Sequence, residues 1–204
     1  MAKPKFTFVG QIMEGVTVTG GTGGGSCQYY SGSNGYDEGC PGVRIYGGAA
    51  DVAKMEIDVS SHSLSSGFLR FRMTHSQGVT GVPVLALKGA TGDLLRLVVN
   101  ASASNPALRL EYWDGSVWVS VGVIAAVTGN DDIDISWNLA DVGGYFRIYK
   151  GGTLLLDSGE IDTLYTADTA VEAVAFFGCS TTTYYGSTYH HIFVDHVDTR
   201  GLYM

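Results

Sequence analysis

The sequence contains few basic residues. Its 12 lysines and arginines are outnumbered by 20 aspartates and glutamates, which gives a formal net charge of −8. Affinity for nucleic acid comes mostly from basic side chains that neutralise phosphates, so this charge balance disfavours nucleic acid as a partner. We therefore expect the chain to bind some other class of molecule.

Cysteine is also scarce. The three cysteines are an odd number and none is spaced as C-x-x-C, which argues against a zinc ribbon and against a full disulfide framework. Cys27 and Cys40 would close a loop in an oxidising compartment, whereas two reduced, partly buried thiols are the simpler interpretation.

Long apolar segments are missing. No run approaches the roughly 20 residues that a membrane-spanning helix needs. The first residues include Lys3 and Lys5 but neither the apolar core nor the small-residue cleavage site of a secretory signal. We therefore expect no membrane insertion, and synthesis in the cytoplasm without secretion.

Glycine and hydrophobic residues are abundant instead. The 204 residues are 45% hydrophobic and include 29 glycines against 4 prolines, a composition that predicts a single core, many tight turns and few long helices. A short helical turn is expected at 159–165. Apolar and polar residues alternate with the period of a strand at 43–46, 51–59, 68–73, 82–88, 94–99, 132–139, 145–149, 153–157, 171–177 and 189–197. This pattern predicts an all-β fold of two packed antiparallel sheets.

The strongest local pattern is LRLEYWDGSVWVSVG at 108–122. Asp114-Gly115 is typical of a two-residue type I′ hairpin turn, because both central positions of that turn need positive φ. Such a turn would place Trp113 opposite Ser116 and one apolar face toward the core. The opposite face should meet water or a partner, and it carries Arg109, Glu111, Trp113, Trp118 and Ser120.

Composition divides the chain into an N-terminal arm of residues 1–40 and a sandwich domain of residues 41–204. The arm is rich in Gly, Ser and Tyr, and such a segment cannot build a core of its own. We expect one or two short strands in it, and either flexibility or order gained by packing on the domain or on a neighbouring subunit. Its candidate assembly residues are Phe6, Phe8, Tyr29, Tyr30 and Tyr36.

Six motifs follow one another in the order FLRFRM, VLALKGATGDLLRLVV, LRLEYWDGSVWVSVG, IDISWNLADVGGYFRIYKGGTLL, AVAFFG and IFVDHV. Their succession, over about residues 43–200, resembles the concanavalin A-like jelly-roll domains of the laminin-G-like kind, in particular those found as structural or adhesion proteins of tailed-phage particles. The resemblance implies a jelly-roll sandwich, display on the capsid or tail of a virion, contacts with other virion proteins, and a homo-oligomer. The resemblance is weaker evidence for function than for fold, since this fold hosts lectins, glycosidases and assembly proteins alike.

Glu56-Ile57-Asp58 is the first catalytic candidate, because glucanases that share this fold carry Glu-x-Asp-x-Glu on one strand. Here the third carboxylate is replaced by Ser60, or by Ser61 if a bulge shifts the count, so the acid/base of a retaining mechanism is missing. No G-x-S-x-G or H-E-x-x-H motif supports another hydrolase. We expect no enzymatic activity and no cofactor; a glucanase with displaced catalytic residues is the less favoured alternative.

The densest carboxylate cluster, Asp131, Asp132 and Asp134, is a weak calcium candidate. Its spacing does not match a D-x-D-x-D-G loop, and charged residues are expected at 132 and 134 without a metal, on the outer face of a strand. His190 and His196 would share a strand face but lie about 20 Å apart, too far to hold one zinc ion. His191, also near Asp195, would fall on the opposite face. We expect ordinary surface or half-buried histidines.

Aromatic residues are the better functional lead. They could offer flat surfaces to sugar rings or to a protein neighbour, or they could simply cover a sheet edge. The candidates are Trp113, Trp118, Tyr184, Tyr185 and Tyr189. Our first hypothesis is a non-enzymatic virion structural protein that makes assembly contacts and attaches to the host surface. The alternative is a glycan-binding, lectin-like module, which could also be the activity of that same virion protein on host-surface glycans.

Overall fold

The computed structural model describes residues 5–7, 16–19, 26–30, 42–46, 52–75, 77–78, 80–101, 103–104, 107–125, 132–164, 168–179 and 192–198. These residues form β-strands and a single short 3-10 helix, Ser60–His62. The strands are β1 (Lys5–Thr7), β2 (Val16–Thr19), β3 (Ser26–Tyr30), β4 (Gly42–Tyr46), β5 (Val52–Asp58), β6 (Ser66–His75), β7 (Gln77–Gly78), β8 (Pro83–Lys88), β9 (Asp93–Val99), β10 (Ala103–Ser104), β11 (Leu108–Trp113), β12 (Trp118–Ile124), β13 (Asp132–Asn138), β14 (Tyr145–Lys150), β15 (Thr153–Asp157), β16 (Ala173–Cys179) and β17 (Ile192–Asp198).

The strands form two large antiparallel sheets. The seven-stranded sheet has the order β12-β11-β9-β8-β16-β5-β2. The eight-stranded sheet has the order β15-β14-β13-β6-β17-β4-β3, with β1 also paired to β17. A separate two-stranded ladder joins β7 and β10. The predicted all-β class with two packed antiparallel sheets is confirmed.

The core lies between the inner faces of the two sheets. Phe71 of β6 meets Phe176 of β16 edge to face, with ring centres 5.5 Å apart. Tyr112 of β11 stacks on Phe146 of β14, with ring centres 6.1 Å apart. Each pair joins one sheet to the other, so the aromatic contacts hold the layers together as well as filling the interior.

Trp137 shows how closely this core is packed. Its side chain is fully buried, and its indole Nε1 donates a hydrogen bond to the carbonyl of Leu64 at 3.1 Å. Gly67 is its cross-strand partner on β6, and a Cβ added there would lie 2.3 Å from the indole ring. Glycine at 67 therefore makes the space that the tryptophan fills.

The predicted strands are found with small changes at their ends, whereas the helical turn expected at 159–165 is wrong. Residues 159–164 form no helical turn, and Ile161 forms an isolated bridge with Gly144. Thr163 fixes this course, because its backbone N–H donates to the carbonyl of Ala140 while its hydroxyl accepts from the N–H of Ala140. Pairing with a distant segment thus replaces the local hydrogen bonds of a helix.

The turn of the 108–122 hairpin is displaced by one residue from its prediction. Trp113 pairs with Trp118, not Ser116, so Gly115 and Ser116 are the central residues, with Gly115 at φ +94°. Asp114 stays outside the left-handed region and instead accepts hydrogen bonds from the N–H groups of Ser116 and Val117. Its side chain therefore stabilises the turn by bonding to backbone groups two and three residues further on, as aspartate commonly does in turns.

Residues 1–40 contribute three strands to the sandwich. β1 pairs with β17, β2 with β5, and β3 with β4. The two sheets therefore extend across the predicted boundary at residue 40. The part of the chain that the structure describes contains no helix with the length and apolar character that crossing a membrane requires.

Candidate functional site

The candidate site lies on the outer face of the seven-stranded sheet. One rung of paired residues crosses this face, in the order Glu56, Ala175, Ala86, Arg96, Glu111 and Ser120. Charged residues thus stand on both sides of two central alanines. We call this surface the charged face, and it comprises Lys54, Glu56, Lys88, Asp93, Arg96, Arg109 and Glu111, with Trp113 and Trp118 beside them on β11 and β12.

Glu111 is bound by two arginines. The Nε of Arg96 donates to its Oε2 at 2.7 Å, and the Nε of Arg109 donates to its Oε1 at 2.6 Å. Glu111 is only 4% exposed, and burying a carboxylate is costly unless it is paired and hydrogen-bonded. The Nη1 of Arg109 also donates to Oδ1 of Asn100. The triad therefore places its negative charge beneath two partly exposed guanidinium groups.

The two tryptophans lie side by side at the end of this triad. Trp113 and Trp118 are cross-strand partners, and their ring centres are 5.4 Å apart with a tilt of 59°. The guanidinium carbon of Arg96 lies 3.9 Å from the centre of the Trp118 ring, close enough for a cation–π contact. Arg96 thus joins the buried carboxylate to the aromatic pair.

A second triad lies on the other side of the alanines. The Nζ of Lys88 is 2.8 Å and the Nζ of Lys54 is 3.1 Å from Oε2 of Glu56. Lys88 reaches Glu56 across β16, where the small side chains of Ala173 and Ala175 leave room for it. The hydrogen bond from Lys88 is the largest cause of a pKa of Glu56 below its ordinary value.

The catalytic candidate Glu56-Ile57-Asp58 has the outward-facing geometry expected of a strand surface. Asp58 is exposed and accepts a hydrogen bond from the N–H of Ser60 at 2.9 Å. Hydrogen bonds from Ser60, first from its hydroxyl, lower the pKa of Asp58. Ser60 and Ser61 have left the strand and belong to the 3-10 helix. The absence of catalysis stays a prediction.

Asp93 lies beside the second triad as the cross-strand partner of Lys88. Burial raises the pKa of Asp93, because desolvation disfavours the charged carboxylate. The positive charges of Lys88 and Arg96 act against this rise without cancelling it. The charged face therefore contains one carboxyl group that is held less firmly in its ionised form.

The calcium candidates are only partly described. Asp134 is fully buried on the outer side of β13 and receives two hydrogen bonds from Arg70, at 2.7 and 2.8 Å, so its carboxylate has a guanidinium partner. Asp131 lies outside the described residues, and only the backbone of Asp132 is described. Among the residues that the structure describes, no three histidine, cysteine or acidic side chains are grouped to hold a metal ion.

Several predicted contact residues lie outside the described residues or are described by backbone alone. The first group comprises Phe8, Tyr36, Cys40, Tyr184, Tyr185, Tyr189, His190 and His191. The second comprises Phe6 in β1, Cys27, Tyr29 and Tyr30 in β3, and His196 in β17. The roles assigned to these residues stay predictions.

Alternation assigns Lys54, with Glu56, to the outer side of its strand, but the sequence did not identify Lys88, Asp93 and Arg96 as members of this face. Alternation placed Arg109 and Glu111 on the correct side of β11, on a face expected to meet water or a partner, but it gave no sign that Glu111 is buried. The one local signal was alternation, which assigns charged residues to the outer face of a strand. Their meeting depends on the order β11-β9-β8-β16-β5, in which most neighbours are not consecutive in sequence.

No protein-family model matches the chain, and no curated protein sequence matches it. Solved structures do match. The globular domain of calreticulin from T. cruzi matches with a TM-score of 0.65 and 13% identity, over 99% of this chain and 89% of that chain. The alginate lyase Aly36B, as a mutant in complex with alginate tetrasaccharide, matches with a TM-score of 0.59 and 16% identity, over 80% of this chain and 82% of that chain.

Domain 4 of AbnA, an extracellular GH43 arabinanase from Geobacillus stearothermophilus, matches as well. That structure is a complex with arabinotriose, and the match has a TM-score of 0.54 and 12% identity, over 91% of this chain and 82% of that chain. Identities this low carry information on the fold and not on the activity. With its two antiparallel sheets, the chain has the concanavalin A-like jelly-roll fold that its motifs implied.

Proposed function

We propose that this chain is a carbohydrate-binding module, and that the tryptophan end of its charged face contacts the sugar. The observation that carries this proposal is the pairing of Trp113 with Trp118 beside the anchored guanidinium groups of Arg96 and Arg109. An aromatic ring covers the apolar side of a sugar ring, while fixed donors select among its oxygens. Both elements stand together on one rigid sheet.

Trp113 is the ring that we assign to stacking on the sugar. Arg96 already covers one side of Trp118, and Trp113 packs against the same ring. Trp118 thereby supports its neighbour and keeps less surface for a ligand. Because the guanidinium of Arg96 is held by the buried Glu111, this support is fixed before a ligand arrives, which lowers the entropy cost of binding.

The fold agrees with this class of ligand. Two of the structurally similar proteins were solved with oligosaccharides, alginate tetrasaccharide in one and arabinotriose in the other. We extend the ligand class, carbohydrate, to this chain on the strength of its own aromatic and charged residues.

Binding without cleavage is part of the proposal. In the Glu56-Ile57-Asp58 motif, Glu56 forms salt bridges with Lys54 and Lys88. Asp58 accepts a hydrogen bond from Ser60. Because both carboxyl groups of this motif already bond to neighbouring residues, the motif supports binding over hydrolysis by this pair. Incubation with β-glucans should release no reducing ends, and their release would overturn this part of the proposal.

The sequence resemblance adds a proposal about place and partners. A carbohydrate-binding module displayed as a homo-oligomer on a phage capsid or tail, in contact with other virion proteins, would bring weak glycan contacts together on a host surface. Mass spectrometry of purified particles should detect the chain, and its absence from them would contradict the virion role while leaving carbohydrate binding untouched.

A glycan array tests the proposed function itself. Full-length protein should bind at least one group of glycans, and Trp113→Ala should lose that binding while retaining a cooperative unfolding transition in urea. Tyr145→Ala is the matched control, because Tyr145 is a half-buried aromatic residue on the outer face of the other sheet, next to Arg147. Absence of binding by wild-type protein to any glycan, or equal loss in both variants, would contradict the proposal.

A further inference from the structure

The Arg96–Glu111–Arg109 triad shows an uneven distribution of charge with depth. The side chain of Glu111 is 6% exposed, whereas the side chains of Arg96 and Arg109 are 25% and 28% exposed. A ligand that approaches the tryptophans therefore meets the two cations before it meets the carboxylate. The triad has one negative charge against two positive charges, so its accessible side is cationic.

Glu111 also fixes the orientation of both guanidinium groups. Each arginine uses its Nε for Glu111, so the Nη groups at the end of each side chain are the donors that a bound anion would use. Asn100 restrains one Nη of Arg109. Oriented guanidinium groups are the side chains best suited to two-pronged recognition of a carboxylate or a sulfate.

We infer that the ligand is an acidic glycan, whose sugar ring stacks on Trp113 while its carboxylate or sulfate group is bound by Arg96 and Arg109. This inference rests on the proposed function and names the ligand class for the same site. Arg96 lies over Trp118, and the Trp118 ring centre is 5.4 Å from that of Trp113, so an anion-binding group stands next to the aromatic pair that offers the stacking surface.

The charge of the whole chain limits the kind of acidic glycan. The formal net charge is −8, and a long polyanion would be repelled by the rest of the surface. The second triad offers no equal site, because Glu56 is 25% exposed, close to the 33% and 27% of Lys54 and Lys88, and Asp93 lies beside it. We therefore assign a short or sparsely charged glycan to the Arg96–Arg109 end alone.

A matched pair of oligosaccharides tests this inference. The first is an oligogalacturonide, and the second is the neutral oligosaccharide obtained by reducing its carboxyl groups to alcohols. Calorimetric titration of full-length protein should give affinity for the acidic member about tenfold or more above that for the neutral one, and the difference should shrink as salt rises. A sulfated oligosaccharide of equal length, in a third titration, distinguishes sulfate from carboxylate.

Substitution of the arginines provides the second readout. Arg109→Gln leaves Glu111 paired with Arg96 and should lower affinity for the acidic oligosaccharide about tenfold, with a clearly smaller loss for the neutral one. Arg109→Lys keeps the positive charge but loses the two-pronged guanidinium group. Its affinity for the acidic oligosaccharide should lie between those of wild type and Arg109→Gln. Arg147→Gln, which removes a comparably exposed arginine from the other sheet, should change neither affinity.

The outcomes separate the inference from the proposed function. Equal affinity for the acidic and neutral oligosaccharides would overturn the acidic-ligand inference and leave carbohydrate binding standing. Failure of every glycan on the array and of all three oligosaccharides to bind would overturn both. A loss in Arg109→Gln that is equal for acidic and neutral ligands would show that Arg109 supports the fold of the site and does not select charge.

Discussion

The guanidinium carbon of Arg96 lies 3.9 Å from the centre of the Trp118 ring. The same guanidinium donates its Nε proton to Glu111, so one side chain links a buried carboxylate to a half-buried aromatic pair. The chemistry of this face is therefore built as a unit, and removing any member should affect the others.

Replacing Arg96 tests that link. Arg96→Met should lower the free energy of unfolding by about 1 to 3 kcal/mol, because it removes a cation–π contact and one of the two partners of a buried carboxylate. Urea denaturation followed by tryptophan fluorescence measures the change. Arg147→Met is the matched control: Arg147 also lies over an aromatic ring, Tyr145, and pairs with Asp157. Its partners are more exposed, so it should cost about 1 kcal/mol or less.

Glu111 should be more important for stability than Glu56. Glu111→Gln leaves Arg96 and Arg109 facing each other over a site that held a charge, and should cost about 3 kcal/mol. Glu56 has the same number of cationic partners, but its side chain is 25% exposed, so Glu56→Gln should cost about 1 kcal/mol or less. Equal costs in urea denaturation would contradict the assignment of Glu111 as the buried centre.

Two carboxyl groups of the charged face should have opposite effects on the pH dependence of stability. The pKa of Glu56 is lowered, mainly by Lys88, so its contribution is present above the unfolded-state pKa and is lost as pH falls through the folded value. The pKa of Asp93 is raised by burial. Its stabilising contribution is therefore present below the unfolded-state pKa and is lost as pH rises through the folded value.

Substitutions separate these two effects. As pH rises from about 3 to about 7, the stability of Asp93→Asn relative to wild type should increase. Over the same interval, the stability of Glu56→Gln relative to wild type should decrease. Urea unfolding at a series of pH values measures both differences. Trends of the same sign in the two variants would contradict the assigned environments.

Gly67 offers a test of core packing that is independent of the face. Gly67→Ala should destabilise the protein by about 1 to 3 kcal/mol, because the new Cβ would collide with the buried ring of Trp137. Gly92→Ala is the control, since no atom lies within 4 Å of a Cβ placed there. Thermal unfolding should show a lower melting temperature for Gly67→Ala and little change for Gly92→Ala.

For β11 the sequence was sufficient to predict which side of the strand a residue takes, but not its partners. In the 108–122 hairpin, Trp113 pairs with Trp118 and Tyr112 with Val119, two residues further along than predicted. A slip of two residues preserves the faces, because side chains alternate with period two. The outward tryptophans were therefore correctly placed even though the turn was not.

The site could not be predicted because its bonds join distant strands. Glu111 meets Arg96 through the pairing of β11 with β9, and Glu56 meets Lys88 across the intervening β16. Local alternation marks all four residues as outward and solvated, and only the sheet order brings opposite charges together. The burial of Glu111 likewise depends on two arginines that lie on different strands, so it cannot be predicted from the sequence of one strand.

The most direct test of the proposed binding face uses the three tryptophans of the chain. Their indole N–H groups give three resonances in a ¹H–¹⁵N NMR spectrum, and Trp137 is an internal control because its indole is buried and bonded to Leu64. On titration with a glycan that binds on the array, we expect shifts for Trp113 and Trp118 and none for Trp137. Binding that leaves the resonances of Trp113 and Trp118 unmoved would contradict the proposed binding face.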